Sequence, residues 1–162
     1  MTKRKINYSE GDCISVPLLN REFARGVIAR MDGRGCIFGY FFPPSIEDSH
    51  NVKIDDFLSP GNNILLARVG DLGLLNSEWK VIGRIPDFRR EVWKMPAGLR
   101  WDEGDSEGVE CIFDEDTLET ISEKPISIVG LDLTKELKDG LMGYGFLEIR
   151  LTKLLSKLAV GL

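Results

Sequence analysis

Apolar and polar residues alternate through much of the first half of the chain. From Asp12, the order Cys13, Ile14, Ser15, Val16, Pro17, Leu18 sets Ile14, Val16 and Leu18 on one face, the period of a half-buried strand. Pro17 has no N–H to give to a ladder, so it marks an edge or the strand's end. Residues 22–31 and 36–42 form two more extended runs around Asp32, Gly33, Arg34 and Gly35. Those four tolerate the positive φ of a tight turn, and the pair predicts a β-hairpin. Gly26 and Gly39 fall inside its arms, where a missing side chain marks a bulge or the sharp coil that closes a small barrel.

Residues 43–63 hold turn formers, charges and the single histidine, with Ile54, Phe57 and Leu58 to pin them; they predict a long excursion with one helical turn. Strand character returns at 64–69 and 79–85, the second with Trp79, Val81 and Ile85 on one side and Lys80 and Arg84 on the other. Trp93, Pro96 and Trp101 lie in a stretch of little periodicity, followed by predicted strands at 109–113 and near 126–131. Tyr144, Leu147, Leu151, Leu154 and Leu158 then recur at steps of three and four, with Glu148, Arg150, Lys153 and Lys157 mostly opposite, the stripe of an amphipathic helix. Gly140, Gly143 and Gly145 each cost about 1 kcal/mol against alanine inside a helix. The helix is therefore expected to begin near Gly145 and not at Thr134. The whole pattern predicts an α+β, mainly β fold in one domain over residues 1–162. Its form is a coiled antiparallel sheet or partly open barrel, with the C-terminal amphipathic helix packed on it.

Composition narrows the setting. The three cysteines, Cys13, Cys36 and Cys111, are odd in number and far apart, which argues against a disulfide framework and for a reducing compartment. Lys3, Arg4 and Lys5 could open a signal peptide, but polar Asn7, Ser9, Glu10 and Asp12 follow where its apolar region would begin. The longest nearly apolar run, 36–42, falls well short of the roughly 20 residues of a membrane helix. A cytoplasmic chain with no membrane partner is expected. With 21 Lys plus Arg against 26 Asp plus Glu, the net charge of -5 disfavours a nucleic-acid partner.

Candidate chemistry is sparse. His50 stands alone beside Asp48, Ser49 and Asn51, which suits a solvated loop histidine better than a catalytic or pH-sensing one. The cysteines lack the close pairing of a zinc site, and Cys13 and Cys36 sit in apolar strands as core residues. Gly70, Gly73, Gly143 and Gly145 have no following Lys-Ser or Lys-Thr pair to make a phosphate loop. No catalytic residue, metal or cofactor is expected.

Charge is more informative. Residues 80–100 hold six basic side chains (Lys80, Arg84, Arg89, Arg90, Lys94, Arg100) against Asp87 and Glu91. Residues 101–124 hold ten acidic ones (Asp102, Glu103, Asp105, Glu107, Glu110, Asp114, Glu115, Asp116, Glu119, Glu123) against Lys124. Such an acidic segment speeds encounter with a basic partner. Trp93 and Trp101 bracket the change of sign, either as partner anchors or as core residues. The candidate partner-binding set is Trp93, Trp101, Asp102, Glu103, Asp105, Glu107, Asp114, Glu115 and Asp116.

Several of these pieces occur in an order that resembles the bacterial immunity protein 26 family. They are Gly11 and Asp12 before the first strand; Phe23, Ala24, Arg25, Gly26 and Val27; Trp79, Lys80, Val81, Ile82 and Gly83; and Gly143, Tyr144 and Gly145 before Glu148, Arg150 and Leu151. The resemblance implies an immunity protein of a polymorphic toxin locus, which binds and blocks a cognate toxin and supplies no catalytic residues; the acidic segment adds the expectation that the toxin's surface is basic. Two other readings fit parts of the chain. One is a barrel-like adaptor or regulatory module unrelated to toxins. The other is a small barrel endoribonuclease of a toxin–antitoxin module, whose start is similar to Gly11-Asp12 but whose Arg-Pro pair in the second strand is missing here.

Overall fold

A computed structural model of the chain describes residues 5–133 and 136–160; Lys3, Arg4 and Thr134 lie outside the described residues. In chain order its strands are β1 (Asp12–Pro17), β2 (Phe23–Met31), β3 (Cys36–Ile46), β4 (Leu65–Gly70), β5 (Lys80–Arg84), β6 (Gly98–Arg100), β7 (Glu107–Phe113), β8 (Thr120–Ser127), β9 (Leu137–Lys138) and β10 (Leu141–Met142). The helices are α1 (Leu72–Leu75) and α2 (Tyr144–Ala159). One sheet has the order β10-β4-β3-β2-β1-β5 and the other β8-β7-β6-β9. Pairing is antiparallel except where β10 joins β4 and β9 joins β6. The fold is mainly β with a C-terminal helix, and neither sheet closes into a barrel. Among the described residues no helix is long and apolar enough to cross a membrane.

The larger sheet is buried on both faces. Ile14, Val16, Ile28, Ile37 and Phe41 point towards α2, which packs against them through Leu147, Leu151 and Leu155. Cys13, Val27, Phe38, Tyr40 and Phe42 point the other way, towards Cys111 and Phe113 of β7 and Leu137 of β9. Double burial explains why residues 36–42 are nearly all apolar instead of alternating. Each fully buried leucine of α2 is worth about 2 kcal/mol. The crossing between sheets at β9–β10 is clamped by Asp139, whose carboxylate accepts from Arg68 of β4 at 3.0 Å and from Arg100 of β6 at 3.1 Å.

Several local expectations are corrected. Gly26 and Gly39 are not the bulges; register shifts fall beside them, at Ala29 and where Pro43, Pro44 and Ser45 face Ala24. The two glycines instead lie under the Phe41 ring, where a Cβ would come within 2.8 Å and 3.0 Å of its carbons. β3 runs on through Pro43 and Pro44 to Ile46, and the excursion after it contains one 3₁₀ turn, Ser49–Asn51. It is pinned by Val52, Leu58 and the bond from Arg25 Nη1 to Asp55 Oδ2 at 2.8 Å. A bulge against β1 breaks the alternation of β5, so Trp79 and Ile85 enter opposite cores and Val81 faces solvent. β8 lies earlier than the expected strand near 126–131, because it is an exposed edge strand with no apolar period, and the apolar residues after it form a turn. In α2 the buried row ends at Leu155; the last turn is exposed, and Leu158 is 47% accessible.

Candidate acidic interface

β7 lies between β6 and β8, with Val109, Cys111 and Phe113 turned inward and Glu110 and Ile112 outward. Its two ends carry the acidic residues singled out by sequence, and because the strand is seven residues long they lie about 20 Å apart. The sequence-level acidic segment is therefore two sites.

The first is the loop between β6 and β7. Asp105 N–H donates to the Asp102 carbonyl at 3.1 Å and closes a turn that holds Asp102, Glu103 and Asp105 out in solvent, with Glu107 exposed at the start of β7. Among the described residues no ion pair reaches any of these four carboxylates. Trp101, half-buried, lines an open groove of about 520 Å³ together with Asp102, Asp105, Glu107 and Pro125. The Lys138 ammonium lies 5.4 Å from the centre of its indole ring.

The second is the turn between β7 and β8, and here the acids serve the fold. Asp114 accepts the backbone N–H groups of Thr117 and Asp116 at 2.8 and 2.9 Å, which hold its carboxyl below the ordinary carboxylate range. Glu115 accepts from Arg30 Nη2 at 2.6 Å and Nε at 3.0 Å. Asp116 pairs with Arg90 Nη1 at 3.0 Å, and Arg90 forks onto Glu10 at 2.5 and 2.8 Å. The basic segment expected at 80–100 is likewise dispersed, since Arg84 pairs with Asp12 and Arg100 with Glu123 and Asp139.

The two tryptophans separate as well. Trp93 is 3% exposed, packed edge-on against Tyr40 and Phe42 and stacked with Phe88. It offers no surface to a partner, and its carbonyl accepts from Arg30 at 3.0 Å. Sequence reasoning missed Arg30, 1% exposed, which joins β2 to the 90–93 segment and to Glu115. The available signal was a lone arginine between Ala29 and Met31 in an apolar strand, where a buried cation requires partners.

His50 is a solvent-exposed loop residue beside Asp48. Burial pushes the Cys13 thiol up to about 12 and the Cys36 thiol to about 11, so both are poor nucleophiles near neutral pH. Among the described residues no group of His, Cys, Asp and Glu converges to hold a metal.

A family model described as Immunity protein 26 matches residues 9–109. That span runs from the turn before β1 into β7 and contains the unpaired loop, whereas Asp114, Glu115, Asp116 and α2 lie beyond it. No curated protein and no solved structure matches the chain.

Proposed function

The chain belongs to the immunity protein 26 family, and on that premise we propose that it binds the cognate toxin of a polymorphic toxin system and blocks it by covering its surface, without chemical turnover of its own. The observation that carries this reading is the free acidic loop. Asp102, Glu103 and Asp105 are exposed and unpaired among the described residues, next to half-buried Trp101. Uncompensated carboxylates attract a basic surface and speed encounter, while a partly exposed indole supplies the dry contact that slows release. The arrangement suits an inhibitor that covers a basic active site. A standard interface takes about 800 Å² from each partner, so a strand edge or the 43–63 excursion contributes alongside the loop. The same reading places the protein in the cytoplasm, where its three free thiols stay reduced.

The test is co-expression with the toxin domain encoded beside this chain's gene. The expected result is restored growth together with a complex that co-purifies, and Trp101→Ala raises the dissociation rate about tenfold at a stability cost under about 1 kcal/mol. Growth that is not restored, or that is restored without a complex, sinks the proposal.

A further inference from the structure

Trp101 lines two adjoining depressions of opposite character. On one side is the groove with Asp102, Asp105 and Glu107, whose one cation, Arg100, is paired with Glu123 and Asp139. On the other is a mainly apolar cavity of about 190 Å³ walled by Leu65, Leu66, Met142 and Phe146, with Lys138, Arg150 and one carboxylate, Glu136, also lining it. Phe146 sits in the first turn of α2 yet is 57% exposed, and Ile149 is 38% exposed. Steps of three and four residues put Ile149, Arg150, Lys153 and Lys157 on the same outward face of α2 as Phe146. Arg150, Lys153 and Lys157 are exposed and meet no carboxylate within ion-pair distance among the described residues. One continuous surface thus carries unpaired negative charge on one flank, unpaired positive charge on the other, and an apolar ridge between them.

Resting on the reading that the partner is a toxin, we infer that the toxin surface docked here is itself two-signed. It is cationic where it meets Asp102, Glu103 and Asp105, apolar over Trp101 and Phe146, and anionic where it meets Arg150, Lys153 and Lys157. A uniformly basic surface would be drawn to the loop and repelled by α2, because like charges brought together across an interface are penalised. Two flanks of opposite sign also fix the direction in which the partner lies. A second copy of this chain, turned about a two-fold axis, would present the same pair of signs. Family membership favours the toxin, and the copy becomes an outcome of the test.

The experiment measures association and dissociation with the toxin domain encoded beside this chain's gene, at low and high salt. Lys153→Glu with Lys157→Glu on α2, and separately Asp102→Lys with Asp105→Lys on the loop, are each expected to slow association about tenfold at low salt, with both effects shrinking at high salt. Phe146→Ala is expected to raise dissociation about tenfold. A milder pair, Lys153→Gln with Lys157→Gln, is expected to slow association about threefold and keeps the test valid if charge reversal disturbs folding. Association unchanged or accelerated by the α2 substitutions overturns the two-signed partner and leaves the toxin reading standing. No complex with the unaltered chain removes the toxin reading itself. Sedimentation of the isolated chain as a dimer that the α2 reversal disperses assigns the surface to a second copy and overturns the inference.

Discussion

At the N-terminal end of β7, Asp102, Glu103 and Asp105 stand beside half-buried Trp101 and form no ion pair among the described residues, whereas at its C-terminal end Glu115 and Asp116 are bound by Arg30 and Arg90 and Asp114 by its own turn. The tryptophans follow the same division, Trp101 at the free end and Trp93 inside the core that Arg30 braces. Residue types are alike at the two ends; what differs is whether an arginine or a turn of the fold engages the carboxylate. Arg30, withdrawn from water, requires a counter-charge, and Glu115 supplies the nearer one at 2.6 Å, with Glu10 at 4.0 Å. Charge that the fold has neutralised adds little to the field outside, so of the candidate carboxylates at the two ends of β7 those of the unpaired loop contribute most to it.

The sharpest break of this contrast is Trp93→Ala against Trp101→Ala. Removing Trp93 deletes a ring packed against Tyr40, Phe42 and Phe88, and large-to-small changes of that kind cost about 3–5 kcal/mol. Total stability of about 5–15 kcal/mol leaves little margin for such a loss. Trp101→Ala is expected to cost under about 1 kcal/mol. Urea denaturation of the two variants measures the difference, and equal losses would mean that Trp101 is as structural as Trp93.

A smaller effect separates the carboxylates. Glu115→Gln keeps the shape but makes the nearest side-chain acceptor of the Arg30 guanidinium neutral and leaves the Glu10 carboxylate at 4.0 Å, a loss of about 1.5 kcal/mol. The figure stays at the low end because Glu115 is itself half-exposed. Glu103→Gln at the other end of β7 is expected to leave the denaturation midpoint unchanged. If the two substitutions move the midpoint equally, the Arg30 bridge contributes nothing measurable and the two ends are electrostatically the same.

Those outcomes also bear on what the sequence could reveal. The hairpin of β2 and β3, the end of β1 at Pro17 and the docked α2 are legible in the sequence, the first and last from a turn signal or a period long enough to read and the second from a residue that cannot donate to a ladder. α1, β6, β9 and β10 have between two and four residues each and carry no period at all. β8 was misplaced because an exposed edge strand needs no apolar face, and its Glu123, Lys124 and Pro125 are residues that discourage further strand pairing. The free loop was legible as acidic, and the positive face of α2 as the polar side of an amphipathic stripe. Their meeting at Trp101 was not, because the two are far apart in sequence and come together only through the β9–β10 crossing. Pairing of Glu115 with Arg30 is long-range in the same sense, 85 residues apart along the chain.

The smallest effect on the fold is expected from neutralising the unpaired end as a whole, through Asp102→Asn, Glu103→Gln, Asp105→Asn and Glu107→Gln together. None of the four carboxylates has an ion-pair partner to lose among the described residues, and relief of their mutual repulsion offsets small losses of turn geometry. Stability is expected to stay within about 0.5 kcal/mol, since exposed positions away from caps and networks usually tolerate substitution to that degree. Binding should respond differently. Exposed charges act mainly on encounter, so association with the proposed toxin partner should slow about tenfold at low salt and lose much of its salt dependence, while dissociation changes little. A stability loss above about 1 kcal/mol would show that this loop, too, is held by the fold. An association rate indifferent both to salt and to all four substitutions would exclude it as the steering surface, and the acids at the two ends of β7 would then differ in pairing without differing in function.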